Sequence, residues 1–303
     1  MTTRHWGIAL GIIVGLWLAR AGRRPPVPLP AAPRLTWAAA RPAATARPWA
    51  PGACQLLAPL GDGRRVTVVL DPGHGRSDPG TGGLTSSGQP VMEKDLTLAT
   101  VRILADLLRT DGYTVVLTRT QHTSVASLSA ADMPGGGFNV AGKHTDILAR
   151  IACANAAHAQ VFVSLHFNGY ADPAVGGTET FYDDARRFSA QNRRLAQLVQ
   201  HNVVAQFRAA AWAVPDRGSA PDSSDAAPTL SAAAAAYPHL LELGPAQPGY
   251  LDHPSQMPGV LCEPLFLTNP AEATIAASPE GQQAIAQGLR RAIEQFAQAH
   301  PAP

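Results

Sequence analysis

The sequence predicts an α/β fold of three layers, with a mixed, mostly parallel sheet flanked by helices in a single domain. Three observations carry that expectation. Short apolar, β-branched runs alternate with longer stretches whose apolar residues recur at helical spacing. A hydrophobic fraction of 46% over 303 residues supplies a real core, so the chain is not disordered overall. Histidine and glutamate residues stand just beyond several apolar runs, where open α/β sheets collect their working groups.

The N-terminal segment is set apart from the fold. Arg4 and His5 precede an apolar run from Trp6 to Ala19, the length of a signal-peptide core and short for a membrane span. Ala19-Arg20-Ala21 offers a cleavage pattern, whereas Arg20, Arg23 and Arg24 resemble the flank of an uncleaved anchor. Residues 1–23 therefore read as a signal peptide or an N-terminal membrane anchor, and either places the remainder outside the cytoplasm. Residues 24–63 are rich in Pro and Ala without periodicity and read as a linker. The folded domain is expected over residues 64–303.

Within that domain, Val66 to Leu70 is a buried-type strand that runs into the tight loop Asp71-Pro72-Gly73-His74-Gly75. Lys94 to Thr110 has a helical apolar stripe at Leu96, Val101, Ile103, Leu104, Leu107 and Leu108, stopped by Asp111-Gly112. Tyr113 to Leu117 reads as a strand, Asp146 to Ala157 as a helix, and Val161 to His166 as the next strand. Gly177 to Tyr182 reads as a further strand, Ala190 to Ala209 as a long helix, Val260 to Glu263 as a late strand and Gly281 to Ala297 as a terminal helix. Residues 121–144, with Pro134-Gly135-Gly136-Gly137, read as a surface insertion.

Composition excludes several classes of function. A formal net charge of +2, no basic run in the folded part and 6% aromatic content argue against a nucleic-acid partner. Cys54, Cys153 and Cys262 are odd in number and widely spaced, which suggests neither a disulfide framework nor a cysteine metal site. Any metal falls to His and carboxylates.

His74 follows the first strand, His166 ends the third and Glu263 ends a late one; Glu93 lies in the loop before the first helix. Two imidazoles and one carboxylate are a common catalytic zinc set that leaves a position for water. A second carboxylate can then take a proton from that water and pass it to a leaving nitrogen. A histidine at a strand end is by itself more often structural, and spacing alone does not name a substrate. His144, His158, His201 and His253 lack metal-ligand spacing and are set aside.

The motifs resemble those of the zinc-dependent N-acetylmuramoyl-L-alanine amidases, the family-3 catalytic domain. The matching segments are Val69 to Gly75, Glu93-Lys94-Asp95-Leu96, Thr118-Arg119-Thr120, and Leu148-Ala149-Arg150 with Ala154-Asn155. Ser164 to Asn168 and Glu263 to Glu272 complete them, in family order over residues 64 to 298. The resemblance implies His74, Glu93 and His166 as zinc ligands and Glu263 as the catalytic carboxylate. It also implies Asp71, Asn168 and Glu179 as residues that orient ligands or substrate, although Asp71 before Pro-Gly equally shapes a turn. Arg119 and Arg150 read as ion pairs stitching the fold rather than as contacts to a stem peptide. Glu242, at an apparent strand end, is a rival base. Phe167 stands where relatives carry a small residue and implies a narrower cleft.

The expected function is zinc-assisted cleavage of the amide between the lactyl group of muramic acid and L-alanine, with peptidoglycan as partner and a monomeric chain. The expected location is the cell envelope or the extracellular space, with membrane attachment where the N-terminal segment is retained. Two alternatives stay open: a catalytically inactive peptidoglycan-binding module, and a zinc peptidase cutting within the stem peptide.

Overall fold

Runs of buried aliphatic residues, too apolar to leave a face to water, build the middle of an eight-stranded sheet. The computed structural model describes residues 41–42, 49–224 and 237–300, so the expected leader, residues 1–23, lies outside the described residues. Strands β1 (Arg41–Pro42), β2 (Ala53–Leu57) and β3 (Thr67–Pro72) precede a hairpin of β4 (Gly82–Leu84) and β5 (Pro90–Met92). Helix α1 (Glu93–Thr110), β6 (Thr114–Arg119), α2 (Val140–Ala156), β7 (Val161–Leu165) and β8 (Thr178–Tyr182) follow. The described chain ends with α3 (Ser189–Ala209), β9 (Asp216–Pro221), β10 (Gly259–Glu263), α4 (Pro270–Ala277) and α5 (Pro279–Ala299).

The strand order is β1-β2-β6-β3-β7-β10-β8-β9. Strands β6, β3, β7 and β10 run parallel, β2 and β8 pair antiparallel at their flanks, and β9 is parallel to β8. This is the mixed, mostly parallel sheet the sequence predicts. The crossover through α1 lays β6 on one side of β3, and the one through α2 lays β7 on the other. The winding thus reverses at β3 and β7, which opens a crevice at their carboxyl ends. His74 and His166 leave the sheet there.

Alternation along the strands sorts the core into two layers. Val68, Leu70, Val163, Leu165 and Cys262 face α1, α3 and α5. Val69, Val116, Phe162 and Leu261 face α2 and the segment 237–258, through Cys153, Ala154, Leu243 and Met257. Three layers result, with the segment 237–258 completing the second cover beside α2.

Several sequence expectations shift. Residues 24–63 are not all linker, because β2 pairs with β6 (Gln55 opposite Leu117) and Leu57 is buried. The apolar signal of a stretch as short as Ala-Cys-Gln-Leu-Leu is masked by the Pro/Ala-rich sequence before it. The side chain of Asn139 accepts a hydrogen bond from Gly142 N and caps α2, so the helix begins at Val140 rather than Asp146. The expected insertion 121–144 therefore ends at Asn139, with short 3-10 turns at Ala130–Asp132 and Pro134–Gly136.

The cysteine reading is overturned as well. Cys54 on β2 and Cys153 on α2 form a disulfide across 99 residues, leaving Cys262 free and buried. Closing so long a loop restricts the unfolded chain by about 4–5 kcal/mol in the chain-entropy account. The variant Cys54→Ser/Cys153→Ser is expected to lose on the order of 2–5 kcal/mol of stability. Urea unfolding with and without reductant measures it, and an unchanged midpoint would show that the bond does not brace the sheet.

Candidate metal centre

The loop after β3 carries His74, the first of the expected ligands. His74 has φ 61° and Arg76 φ 50°, both in the left-handed region that non-glycine residues rarely occupy. Such a backbone persists only where its surroundings hold it, and here two buried guanidinium groups do so. Arg119 donates to the carbonyls of Pro72 and Gly73 at 2.9 and 2.8 Å. Arg150 donates to those of Pro72 and His74 at 2.9 and 2.6 Å.

Arg150 is the ion pair that the sequence suggested, bridging Asp71 and Asp146 at 2.8 and 2.9 Å. Arg119 stitches differently, with backbone carbonyls and Thr97 Oγ1 as its hydrogen-bond acceptors rather than a carboxylate. Burial works against charge on Asp71, but Arg150, Thr118 and Ser164 together hold its carboxyl below the usual range. Asp71 thus acts beneath the loop, through Arg150.

Glu93 is the first residue of α1, not a loop residue. Its Oε2 accepts from Thr81 N at 2.7 Å, and its Oε1 accepts from Phe167 N at 2.9 Å. His166 steps out of β7 directly over Gly73. A Cβ at Gly73 would lie 2.4 Å from the His166 ring, and one at Gly80 would lie 2.4 Å from Glu93 Oε2. Both positions need glycine to leave the side chains room.

Three donor atoms converge. Glu93 Oε1 is 2.9 Å from His74 Nε2 and 3.0 Å from His166 Nδ1, and the two nitrogens are 3.1 Å apart. A tetrahedral ion with bonds of about 2.0–2.1 Å sets its ligands about 3.3 Å apart, so the triangle is close to the size a metal requires. Hydrogen bonds alone account for it poorly, since Glu93 Oε1 is already fixed by Phe167 N and the two imidazole nitrogens also face each other. The charges agree. Burial disfavours a charged His74, yet Glu93 and Asp78 outweigh it and push its pKa up to about 10, while His74 and His166 hold Glu93 well below the carboxylate range. The site attracts positive charge.

Asp78 is the residue that sequence reasoning missed. Its Oδ2 lies 3.0 Å from His74 Nδ1, and Lys143 Nζ lies 3.4 Å from its Oδ1. By accepting from Nδ1–H it turns Nε2 toward the ligand triangle, the usual support for a metal-bound imidazole. In sequence, Ser77-Asp78-Pro79-Gly80 reads only as a turn.

Glu263 ends β10 beside this centre. Leu165 pairs with Cys262, so the next step in register sets His166 beside Glu263, and His166 N donates to Cys262 O at 2.9 Å. Across the antiparallel pair, Glu179 stands directly opposite Glu263. Arg217 Nε lies 3.1 Å from Glu179 Oε2, with its guanidinium 5.2 Å from the centre of the Phe266 ring. Burial raises the Glu179 carboxyl, and Arg217 partly offsets that shift. Asn168 turns its Oδ1 to Gly169 N at 2.7 Å and bridges the ends of β7 and β10 through its backbone.

Glu242 lies in a turn rather than at a strand end, and it is buried. Burial raises its carboxyl, and His166 is the largest influence opposing that rise. It therefore shares the electrostatic neighbourhood of the centre. Phe167 is 1% exposed and packs into the core with Leu165 and Leu265, so it does not narrow the cleft. The rest of the late motif builds structure. Asn269 caps α4, and Glu272 accepts from Phe266 N and Gly177 N, both at 2.7 Å.

Fold and site together define an α/β protein with a candidate metal centre of two histidines and one glutamate at the switch point of its sheet. Residues 68–295 match the family described as N-acetylmuramoyl-L-alanine amidase, and the chain belongs to that family. It is a cell-wall hydrolase of the N-acetylmuramoyl-L-alanine amidase type. The germination-specific N-acetylmuramoyl-L-alanine amidase of Bacillus subtilis is 26% identical over 231 residues, which are 76% of this chain and 78% of that protein. Among solved structures, an N-acetylmuramoyl-L-alanine amidase from Clostridium difficile 630 superposes with a TM-score of 0.53 at 26% identity, covering 78% of this chain and 98% of that one. The CwlD amidase of Clostridioides difficile, solved in complex with the GerS lipoprotein, shares the fold, with a TM-score of 0.58 at 22% identity. That match covers 78% of this chain and all of the other.

Replacing Asp78 by Ala removes the acceptor that orients His74 while leaving the three donors in place. Divalent-metal affinity is expected to fall about 10–100-fold. Competition with a fluorescent chelator reads it, and an unchanged affinity would mean that Asp78 does not orient the ligand.

Proposed function

We propose that His74 Nε2, Glu93 Oε1 and His166 Nδ1 hold a zinc ion, and that Glu263 moves the proton in hydrolysis of the lactyl–L-alanine amide of peptidoglycan. The observation that carries this reading is the triangle of donor atoms, with Glu263 one register step from His166. When bound, zinc supplies Lewis acidity, which polarises a carbonyl and lowers the pKa of a water.

The chain's own residues do the rest. Asp78 holds the Nδ1 proton of His74, Thr81 N and Phe167 N fix Glu93, and Arg119 and Arg150 keep the loop carbonyls turned away from the crevice. The Glu263 carboxylate takes a proton from the attacking water as its oxygen bonds to the lactyl carbonyl carbon. It then gives that proton to the alanine nitrogen as the carbon–nitrogen bond breaks. Glu179, held by Arg217 opposite Glu263, positions that end of the sheet toward substrate. The family match and the complete ligand set favour an active enzyme over a binding module.

We further propose that the folded domain acts outside the cytoplasm, exported by residues 1–23 and attached to the membrane where they are retained. The Cys54–Cys153 disulfide supports an oxidising compartment. Among the described residues, no helix is long and apolar enough to cross a membrane. The folded part reaches back at least to β1, where Arg41 and Pro42 pair with Leu56 and Gln55, so a linker would have to lie before Arg41.

Digestion of purified peptidoglycan by the full chain with zinc is expected to release intact stem peptides bearing a free L-alanine amino group, read by mass spectrometry. A chelator stops the release. Glu263→Ala lowers turnover by about 10²–10⁴-fold, with Glu242→Gln having the smaller effect. Fragments cut inside the stem would overturn the choice of bond, and full activity of Glu263→Ala would overturn the choice of base.

Zinc must also displace the proton that His74 retains up to about 10 in the metal-free chain. Raising the pH removes this competitor, so apparent zinc affinity is expected to rise from about pH 6 to 8, with proton release on binding. Calorimetry in buffers of different ionisation enthalpy measures both. An affinity flat with pH, with no proton released, contradicts the assignment.

A further inference from the structure

A second group of ligand-type side chains lies where the ends of β8 and β9 meet the segment leading to Glu242. Asp183 follows β8, Asp222 opens the 3-10 turn Asp222–Ser224 after β9, and His239 stands three residues before Glu242. His239 Nδ1 is 2.8 Å from Asp183 Oδ2 and 3.3 Å from Asp222 Oδ1, and the three donor atoms all lie within 4.8 Å of one another. The two aspartates are 0% and 2% exposed.

Each carboxylate is aimed by the backbone. Ala185 N donates to Asp183 Oδ1 and Leu240 N to Asp222 Oδ2, both at 2.9 Å, which leaves the remaining oxygen of each for His239. The imidazole hydrogen-bonds Asp222 Oδ1; Asp183 Oδ2 is wholly buried, with His239 Nδ1 at 2.8 Å as an ion-pair contact but no hydrogen bond among the described residues. A buried oxygen without a hydrogen bond calls for an explanation, such as an ion that occupies the site. The Arg186 side chain, whose charge also bears on Asp183, donates to the carbonyls of Leu243, Gly244 and Ser255, while the Arg186 backbone supports the Asp183 carboxylate. Two carboxylates face one imidazole here, so the three side chains are net negative among themselves, with Arg186 as the neighbouring positive charge.

We propose that Asp183, Asp222 and His239 form a second divalent-cation site, separate from the catalytic ligands, which takes a first-row ion such as zinc. Two carboxylate oxygens and one imidazole nitrogen suit such an ion, and the backbone amides that fix both carboxylates supply the outer support that metal ligands need. The ion joins the ends of β8 and β9 to the segment carrying Glu242. It is a clamp on one wall of the catalytic crevice, not a second reaction centre.

Zinc equivalents per chain, counted by plasma mass spectrometry after equilibrium dialysis of the full chain, test the proposal. Wild type is expected to hold two, His166→Ala one, Asp183→Asn one, and the double variant none. Zinc is also expected to raise the melting temperature of His166→Ala, because an ion bound only by the folded state stabilises it. One equivalent in wild type with none in His166→Ala overturns the second site and leaves the catalytic one standing. Two equivalents retained by folded Asp183→Asn overturn it equally. Should Asp183→Asn fail to fold, the count in His166→Ala decides alone.

Discussion

The carbonyl groups of Pro72, Gly73 and His74 are turned into the protein, and the buried guanidinium groups of Arg119 and Arg150 hold them there. The site depends on this constraint. With the carbonyls anchored inward, His74 is held in a left-handed backbone and its ring faces the crevice. Gly73 passes directly beneath the His166 ring, where a Cβ would not fit. Arg150 carries the constraint further, since Asp71 beneath it also binds Thr118 on β6 and Ser164 on β7. Three strands and α2 are thus tied to one loop. Removing one partner of so buried a pair leaves an uncompensated charge, typically several kcal/mol of destabilisation.

The chemistry of the centre follows from how differently its carboxylates are placed. Glu93 is fixed by two backbone amides and faces two imidazoles, which suits a ligand that stays ionised. Asp78 serves through the far nitrogen of His74. Glu179 is matched to Arg217 across the sheet from Glu263, and Glu263 at the end of β10 stands next to the proposed metal ligands. Each of these roles comes from register and loop geometry, and none can be exchanged for another by a small shift of side chain.

Much of this was legible in the sequence. The β-branched runs at Val66 to Leu70 and Val161 to Leu165 mark central parallel strands, because both their faces are buried and no polar alternation interrupts them. His74, Glu93 and His166 come together because the residues after β3 and β7 and the first turn of α1 meet at the same end of the sheet. What stayed hidden depends on long-range pairing. The Cys54–Cys153 bond spans 99 residues and joins a strand whose five residues sit behind a Pro/Ala-rich stretch. Asp78 looks like an ordinary turn residue until His74 is placed beside it. Asp183, Asp222 and His239 have no motif spacing and meet only through the β8–β9 edge. Phe167 leaves the cleft its width because the residue after His166 alternates back into the core.

Anomalous diffraction at the zinc edge from zinc-loaded crystals tests the central claim most directly. A peak is expected about 2.0–2.1 Å from His74 Nε2, Glu93 Oε1 and His166 Nδ1, with the loop carbonyls still held by Arg119 and Arg150. Zinc bound elsewhere, with no peak between these three atoms, would contradict it.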